Sequence, residues 1–215
     1  MDVILNARVC DVLKKFLYNS SKFVKKDALW TISNVGAGTN IQIQVLFESG
    51  LLSESLPFLN DVDYDLLKDA VYIYANSLLG GTDVQREKFC GELKGLPYIV
   101  GSIEPLRDDP ITLQPVLHAL EKLLDLGQRR MLESDGDVNQ YAEIVEEYGG
   151  LAALESLANT GHSSVYEIVT GMIETFFERP EGDHDDIEVG AKFKKSFRKH
   201  RLNFLSFRLS FYIQY

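Results

Sequence analysis

Cysteine is scarce. Cys10 and Cys90 are the only two in 215 residues, and their positions suggest different structural units, so a disulfide framework is excluded and both are expected as reduced core residues. The four histidines (His118, His162, His184 and His200) show no metal-ligand spacing. Gly80-Gly81-Thr82 lacks the lysine of a phosphate loop, and no nucleophile–base pair is evident. The expectation is a chain that is no enzyme and carries no cofactor. There is no basic, then apolar, then small-residue pattern at the N-terminus, and no apolar run of ~18 residues, which predicts a soluble, intracellular body with no membrane contact. Positive charge is also short. The chain has 22 Lys and Arg against 32 Asp and Glu, a net −10, and seven of the basic residues lie from Ala191 onward with no acid among them. The part before Ala191 therefore has 15 basic residues against 32 acidic ones, a balance of −17. Such a body repels a phosphate backbone, which argues against nucleic acid and predicts a basic partner.

What is present is periodic. A hydrophobic fraction of 45% can fill a continuous core. In Lys25–Asn34 two helical stripes coexist: Ala28, Leu29, Ile32 and Val35 form a buried one, while Asp27, Trp30 and Asn34 form a second at i, i+3 and i+7. The same acid, aromatic and Asn recur as Asp69, Tyr72 and Asn76, each 42 residues later. A period of roughly 40–47 residues marks a helical array whose units bury their apolar faces by stacking. Gly50-Leu51, Gly95-Leu96 and Gly150-Leu151 open apolar runs and are expected to turn one helix into the next.

Helices are predicted at about 3–17, 22–35, 40–49, 52–59, 64–79, 82–93, 96–106, 110–126, 138–148, 151–157 and 163–177. Ser163 or Ser164 is the expected cap of the last, and 127–137 reads as a polar insertion. Residues 1–178 should form the repeat body. Residues 179–215 read as a disordered tail, acidic at first and then basic and aromatic.

These residues also carry a resemblance. Lys25–Asn34, followed by Val35-Gly36-Ala37-Gly38 and Gln42-Ile43-Gln44, is similar to the later armadillo repeats of importin alpha. The likeness runs from about Val3 to Phe177. Leu117–Leu124 resembles the ninth repeat of that family; Gly149-Gly150-Leu151, Ser164-Val165-Tyr166 and Ile173–Phe177 resemble the tenth.

The resemblance implies an all-α, right-handed superhelical armadillo solenoid of about three and a half three-helix repeats. It implies a nuclear import adaptor that shuttles between cytoplasm and nucleus and binds the basic nuclear localisation signals of cargo. The matching repeats are the family's minor signal-binding site. Trp30 and Tyr72 would shelve the stems of Lys or Arg, Asn34 and Asn76 would clamp an extended peptide backbone, and Asp69 would pair the charged head. Asp27 shares the phase of Asp69 with a weaker claim, and Ser33 matches a groove serine. Tyr72 stands where a second Trp is usual and offers less ring face.

Leu117 and Glu121 are read as the next aromatic and Asn phases, so the ladder is expected to stop there. The last repeat would meet an export receptor of the CAS type. Beta importin would bind only an N-terminal segment that this sequence lacks. The alternative reading is a generic armadillo interaction scaffold or an inactive fragment. The final segment, Lys192–Tyr215, is unlike the family; its basic stretch Lys192–Arg201 could compete with cargo, or the segment could sit on an anionic membrane through its Phe and Leu residues, but its composition favours an unnatural reading-frame extension, as the abrupt start favours an incomplete gene product.

Overall fold

The computed structural model describes residues 7–177; the tail expected over 179–215 lies outside the described residues. Among the described residues there are eleven α-helices and two short 3-10 segments. They run as α1 (Ala7–Leu17), α2 (Lys22–Gly36), α3 (Asn40–Glu48), α4 (Leu51–Ser55), α5 (Tyr64–Gly80), α6 (Asp83–Gly91), α7 (Leu96–Gly101), α8 (Pro110–Glu133), α9 (Gln140–Glu147), α10 (Gly150–Leu157) and α11 (Ser163–Phe176). The 3-10 segments, Leu56–Asn60 and Glu104–Leu106, follow α4 and α7. No helix among the described residues is long and apolar enough to cross a membrane.

The helices repeat as short, short, long: α3-α4-α5, α6-α7-α8 and α9-α10-α11, with α1 and α2 ahead of them as a second and third helix. The third helices pack in series, α2 on α5, α5 on α8 and α8 on α11. This is an all-α armadillo solenoid. Its core is the continuous apolar seam of these helices, including Leu29, Ile32, Val71, Leu117, Leu120 and Leu124, all essentially inaccessible. Cys10 and Cys90 are free and buried in α1 and α6, and burial pushes the Cys90 thiol up to about 12.

First helices start on side-chain caps. Thr39 and Thr82 each accept from the backbone N–H three residues on, while Gln42 and Gln85 reach back to the cap's own N–H. Gln85 also donates Nε2 to the Asn40 carbonyl at 2.9 Å and to Gln44 Oε1 at 3.2 Å, tying α6 to α3. At α9, Asn139 Oδ1 accepts from Tyr141 and Ala142, and its Nδ2 donates to the Leu124 carbonyl of α8 at 2.9 Å.

Four local expectations are corrected. The helices expected over 52–59 and 96–106 each give way to a 3-10 segment, because Pro57 and Pro105 cannot continue the α ladder. The polar stretch 127–137 is mostly helix, since α8 runs on to Glu133. Gly127 is not a stop there: it is the point where α8 passes under the α9 cap, and an added Cβ would lie 2.2 Å from Asn139 Oδ1. Beyond it, Arg129 reaches Asp83 at 2.7 Å and Arg130 pairs with Glu87 at 2.5 Å, so charge pairs with α6 hold the extension. The cap of α11 is not a serine: Ser163 is already helical, the first turn closes from Tyr166 N–H to the His162 carbonyl, and Ser164 Oγ accepts from Gln114. Finally, of the three glycines of the Gly-Leu pairs only Gly50 takes the left-handed turn (φ 75°); at the last joint Gly149 takes it (φ 78°) in place of Gly150, and at the middle joint Lys94 does (φ 52°). Gly95 is needed for space instead, because a Cβ there would meet the Phe89 ring at 2.2 Å.

Candidate functional site

The third helices share a register that their starts fix. The first helical bonds run from Lys25 N–H to the Ser21 carbonyl, from Leu67 to Asp63 and from Leu113 to Asp109. Counted from these three cap residues, equal positions carry Asp27, Asp69 and Pro115; then Trp30, Tyr72 and His118; then Asn34, Asn76 and Lys122. Burial agrees with this alignment. Leu29, Val71 and Leu117, one residue before each rung, are buried, whereas Trp30 is 61% exposed and Tyr72 and His118 are half-buried. Leu117 and Glu121 are therefore not the third rung. The Asp63-to-Asp109 step is 46 residues rather than 42, and the added residues shift the phase, so His118 and Lys122 stand there.

The predicted residues meet on adjoining faces of α2 and α5. Asn34 and Asp27 are exposed, and Asp69, Tyr72 and Asn76 are half-buried. Asn76 Nδ2 donates to the Ser33 carbonyl at 3.2 Å, fixing the amide across the α2–α5 seam. Ser33 itself is placed differently from the others: it is 7% exposed, and its hydroxyl donates to the Trp30 carbonyl at 2.8 Å. Its carbonyl joins the site through Asn76 while its hydroxyl is spent within α2.

Most charged groups around these residues are already paired. Lys22 bridges Asp63 and Asp65, each at 2.8 Å, and Lys26 lies 3.7 Å from Asp65. Lys68 and the Tyr64 hydroxyl both donate to Asp109, at 3.1 and 2.7 Å. Asp69 differs. It makes no hydrogen bond or ion pair among the described residues, and its carboxyl is pushed above the ordinary range, first by burial and then by Asp65 and Asp27, against the pull of Lys26 and Lys68. A partly desolvated carboxylate one helical turn from Tyr72 can accept a cation that brings its own hydrogen-bond donors. The third rung has a different character: His118 Nδ1 lies 3.3 Å from Glu121 Oε2, and burial pulls the Lys122 ammonium down while Asp125 and Glu121 support it and Arg86 and Arg129 oppose it. No group of residues fit to hold a metal ion occurs among the described residues.

Importin subunit alpha-4 of Arabidopsis thaliana is 30% identical over 171 residues, covering 76% of this chain and 30% of the relative. Importin subunit alpha-1a of Oryza sativa subsp. japonica is 29% identical, covering 84% and 33%. Over these residues the chain is similar to importin alpha. It spans about a third of the length of these importin-alpha relatives. A family model described as an atypical Arm repeat matches residues 139–191, which begin at the cap of α9. Among solved structures, a computationally designed armadillo repeat protein for modular peptide recognition superposes with a TM-score of 0.61 at 24% identity, over 88% of this chain and 71% of that one. An engineered protein superposes with the same TM-score at 20% identity, over 81% and 40%. These two likenesses speak for the fold alone.

The register error had a visible source. Asp109, which precedes Pro110 and stands three residues before Thr112, is a readable helix cap. Counting from it places Lys122 at the phase of Asn34 and Asn76.

Proposed function

We propose that the α2–α5 face is a binding site for basic peptides of the nuclear-localisation type, and that the chain acts as an import adaptor of the importin-alpha kind. The observation that carries this reading is Asp69, a half-buried carboxylate with no hydrogen bond or ion pair among the described residues, on the helix that carries Tyr72 and packs on that of Trp30. An aliphatic stem of Lys or Arg lies on Trp30 and Tyr72, its charged head reaches Asp69, and Asn34 with the remaining amide capacity of Asn76 holds the peptide backbone. Each aromatic shelf contributes about 0.5–2 kcal/mol according to its desolvation, so one rung is weak and two select for neighbouring basic residues.

On this reading the cargo carries basic localisation signals and the adaptor shuttles between cytoplasm and nucleus. The last repeat, α9 to α11, serves an export receptor of the CAS type. The test is titration of a fluorescent Lys-Arg peptide, followed by anisotropy, into the wild type and into Trp30→Ala and Asn34→Ala. Each variant should bind about three- to thirtyfold more weakly, corresponding to roughly 0.7–2 kcal/mol, with unchanged helix content and a salt-sensitive wild type. Equal affinity in all three would overturn the proposal, and a response indifferent to peptide charge would favour an armadillo scaffold for a non-basic partner.

A further inference from the structure

A hollow of about 480 Å³ opens on the second helices, and no residue of α2, α5, α8 or α11 lines it. Three successive units contribute. Asn60 ends the 3-10 segment after α4; Lys94, Pro97, Tyr98 and Gly101 belong to the turn into α7 and to α7 itself; Tyr148 follows α9. The polar ends of this lining are unspent: the Asn60 amide, the Lys94 ammonium and the Tyr98 and Tyr148 hydroxyls make no hydrogen bond or ion pair among the described residues. Gly101 keeps the space beside Asn60 open, since a Cβ there would lie 2.8 Å from Asn60 Oδ1. Lys94 is the only charged residue on the lining, and it holds the left-handed turn (φ 52°) that glycine holds at the other two joints. A lysine is less stable than a glycine in that conformation, so the turn itself does not account for its side chain.

We infer that this hollow binds an extended, proline-rich peptide segment with an acidic residue beside its prolines. A polyproline-type chain makes no internal hydrogen bonds, so its carbonyls need donors, which the Asn60 amide and the two tyrosine hydroxyls supply. Its pyrrolidine rings present apolar faces to Tyr98, Tyr148 and Pro97, and its stiff backbone loses little freedom on binding, which suits an open site. A helix would leave these donors idle because it satisfies its own backbone, and a strand needs a sheet edge, which the described residues lack. Charge sets the flank. In a body that is −17 before Ala191, this hollow presents a cation and no acid, and so complements a carboxylate. The sign is the reverse of that proposed for the α2–α5 face, and the two sites share no residue.

The test titrates fluorescent peptides of equal length into the full chain and follows anisotropy. One is a proline-rich segment with Glu at both ends; a second has Gln in place of Glu; a third keeps Glu and has Ser in place of Pro. The wild type should bind the first most tightly. Tyr148→Ala, which removes an exposed ring, and Gly101→Leu, which fills the space beside Asn60, should each weaken that binding about fivefold or more with unchanged helix content. Lys94→Gln should weaken the Glu peptide about two- to fivefold, in a salt-sensitive way, and leave the Gln peptide unchanged. Trp30→Ala, on the third-helix face, should alter none of these affinities. Equal affinity of the wild type for the Pro and Ser peptides, or equal affinity of the wild type and Tyr148→Ala for the first, would overturn the inference. So would failure of the wild type to bind the first peptide, and a Lys94→Gln chain that loses the Glu and Gln peptides alike would overturn the acidic flank.

Discussion

Lys94 holds its backbone at φ 52°, in the region where a Cβ crowds the neighbouring carbonyl, while the glycine beside it has an ordinary φ of −79°. Lys94 turns the chain, as Gly50 and Gly149 do at the other joints, and Gly95 yields space to the Phe89 ring, as Gly150 does to Val145. Left-handed backbone at a residue with a Cβ costs about 1–2 kcal/mol, part of which is offset by the greater freedom that glycine gains in the unfolded chain. Lys94→Gly should therefore stabilise the protein by about 0.5–1 kcal/mol in urea denaturation, with an unchanged slope. The reciprocal Gly95→Ala should destabilise it, since Phe89 is buried and cannot swing away. A neutral or destabilising Lys94→Gly would mean that the turn holds no strain. The sequence showed a Gly-Leu pair at this joint but not the division of labour, because φ depends on how the ring packs and no local motif records that.

At the scale of the element, α8 is the helix whose reading changed most. Its stripe through Leu124 was legible in the sequence, but Gly127 and the polar residues after it resembled a break. They are helical because tertiary contacts outweigh propensity: Arg129 and Arg130 find Asp83 and Glu87 on α6, and the cap of α9 lies over Gly127. Helix propensity alone predicts that Gly127→Ala gains about 1 kcal/mol. The geometry predicts the opposite. The new methyl would displace Asn139, which caps α9 and grips the Leu124 carbonyl, so thermal denaturation should show a net loss of about 1–3 kcal/mol from overpacking and a weakened cap. A raised melting temperature would refute this account of why a glycine stands there. The Trp30/Tyr72 ladder was readable without the structure because its spacing is free of insertions, whereas the step to α8 is four residues longer. Register was lost at that step, not on the helices themselves.

Over the whole molecule, adjacent repeats are joined by polar clasps as well as by the apolar seam. Asp109 is the fullest of them. Burial alone would raise its carboxyl, but hydrogen bonds from Tyr64 and Lys68 of α5 and from Thr112 of α8 outweigh it and hold the group well below the usual carboxylate range. A carboxyl depressed in the folded state contributes stability that is present above its unfolded value, about 4, and is lost as pH falls through the folded value. Stability should thus decline on acidification below about pH 4, and Asp109→Asn should lower stability at neutral pH while flattening part of that decline; parallel pH profiles for the two proteins would show that the clasp does not titrate. Gln85 is a clasp of another kind, and a one-way one. It closes the first turn of α6 and also holds the Asn40 carbonyl and the Gln44 side chain of α3. The nucleus of α6 is therefore built partly on a surface that α3 must already present. Assembly along this stretch accordingly has a direction: the first turn of α6 is templated by α3, and fraying at α3 spreads forward into it.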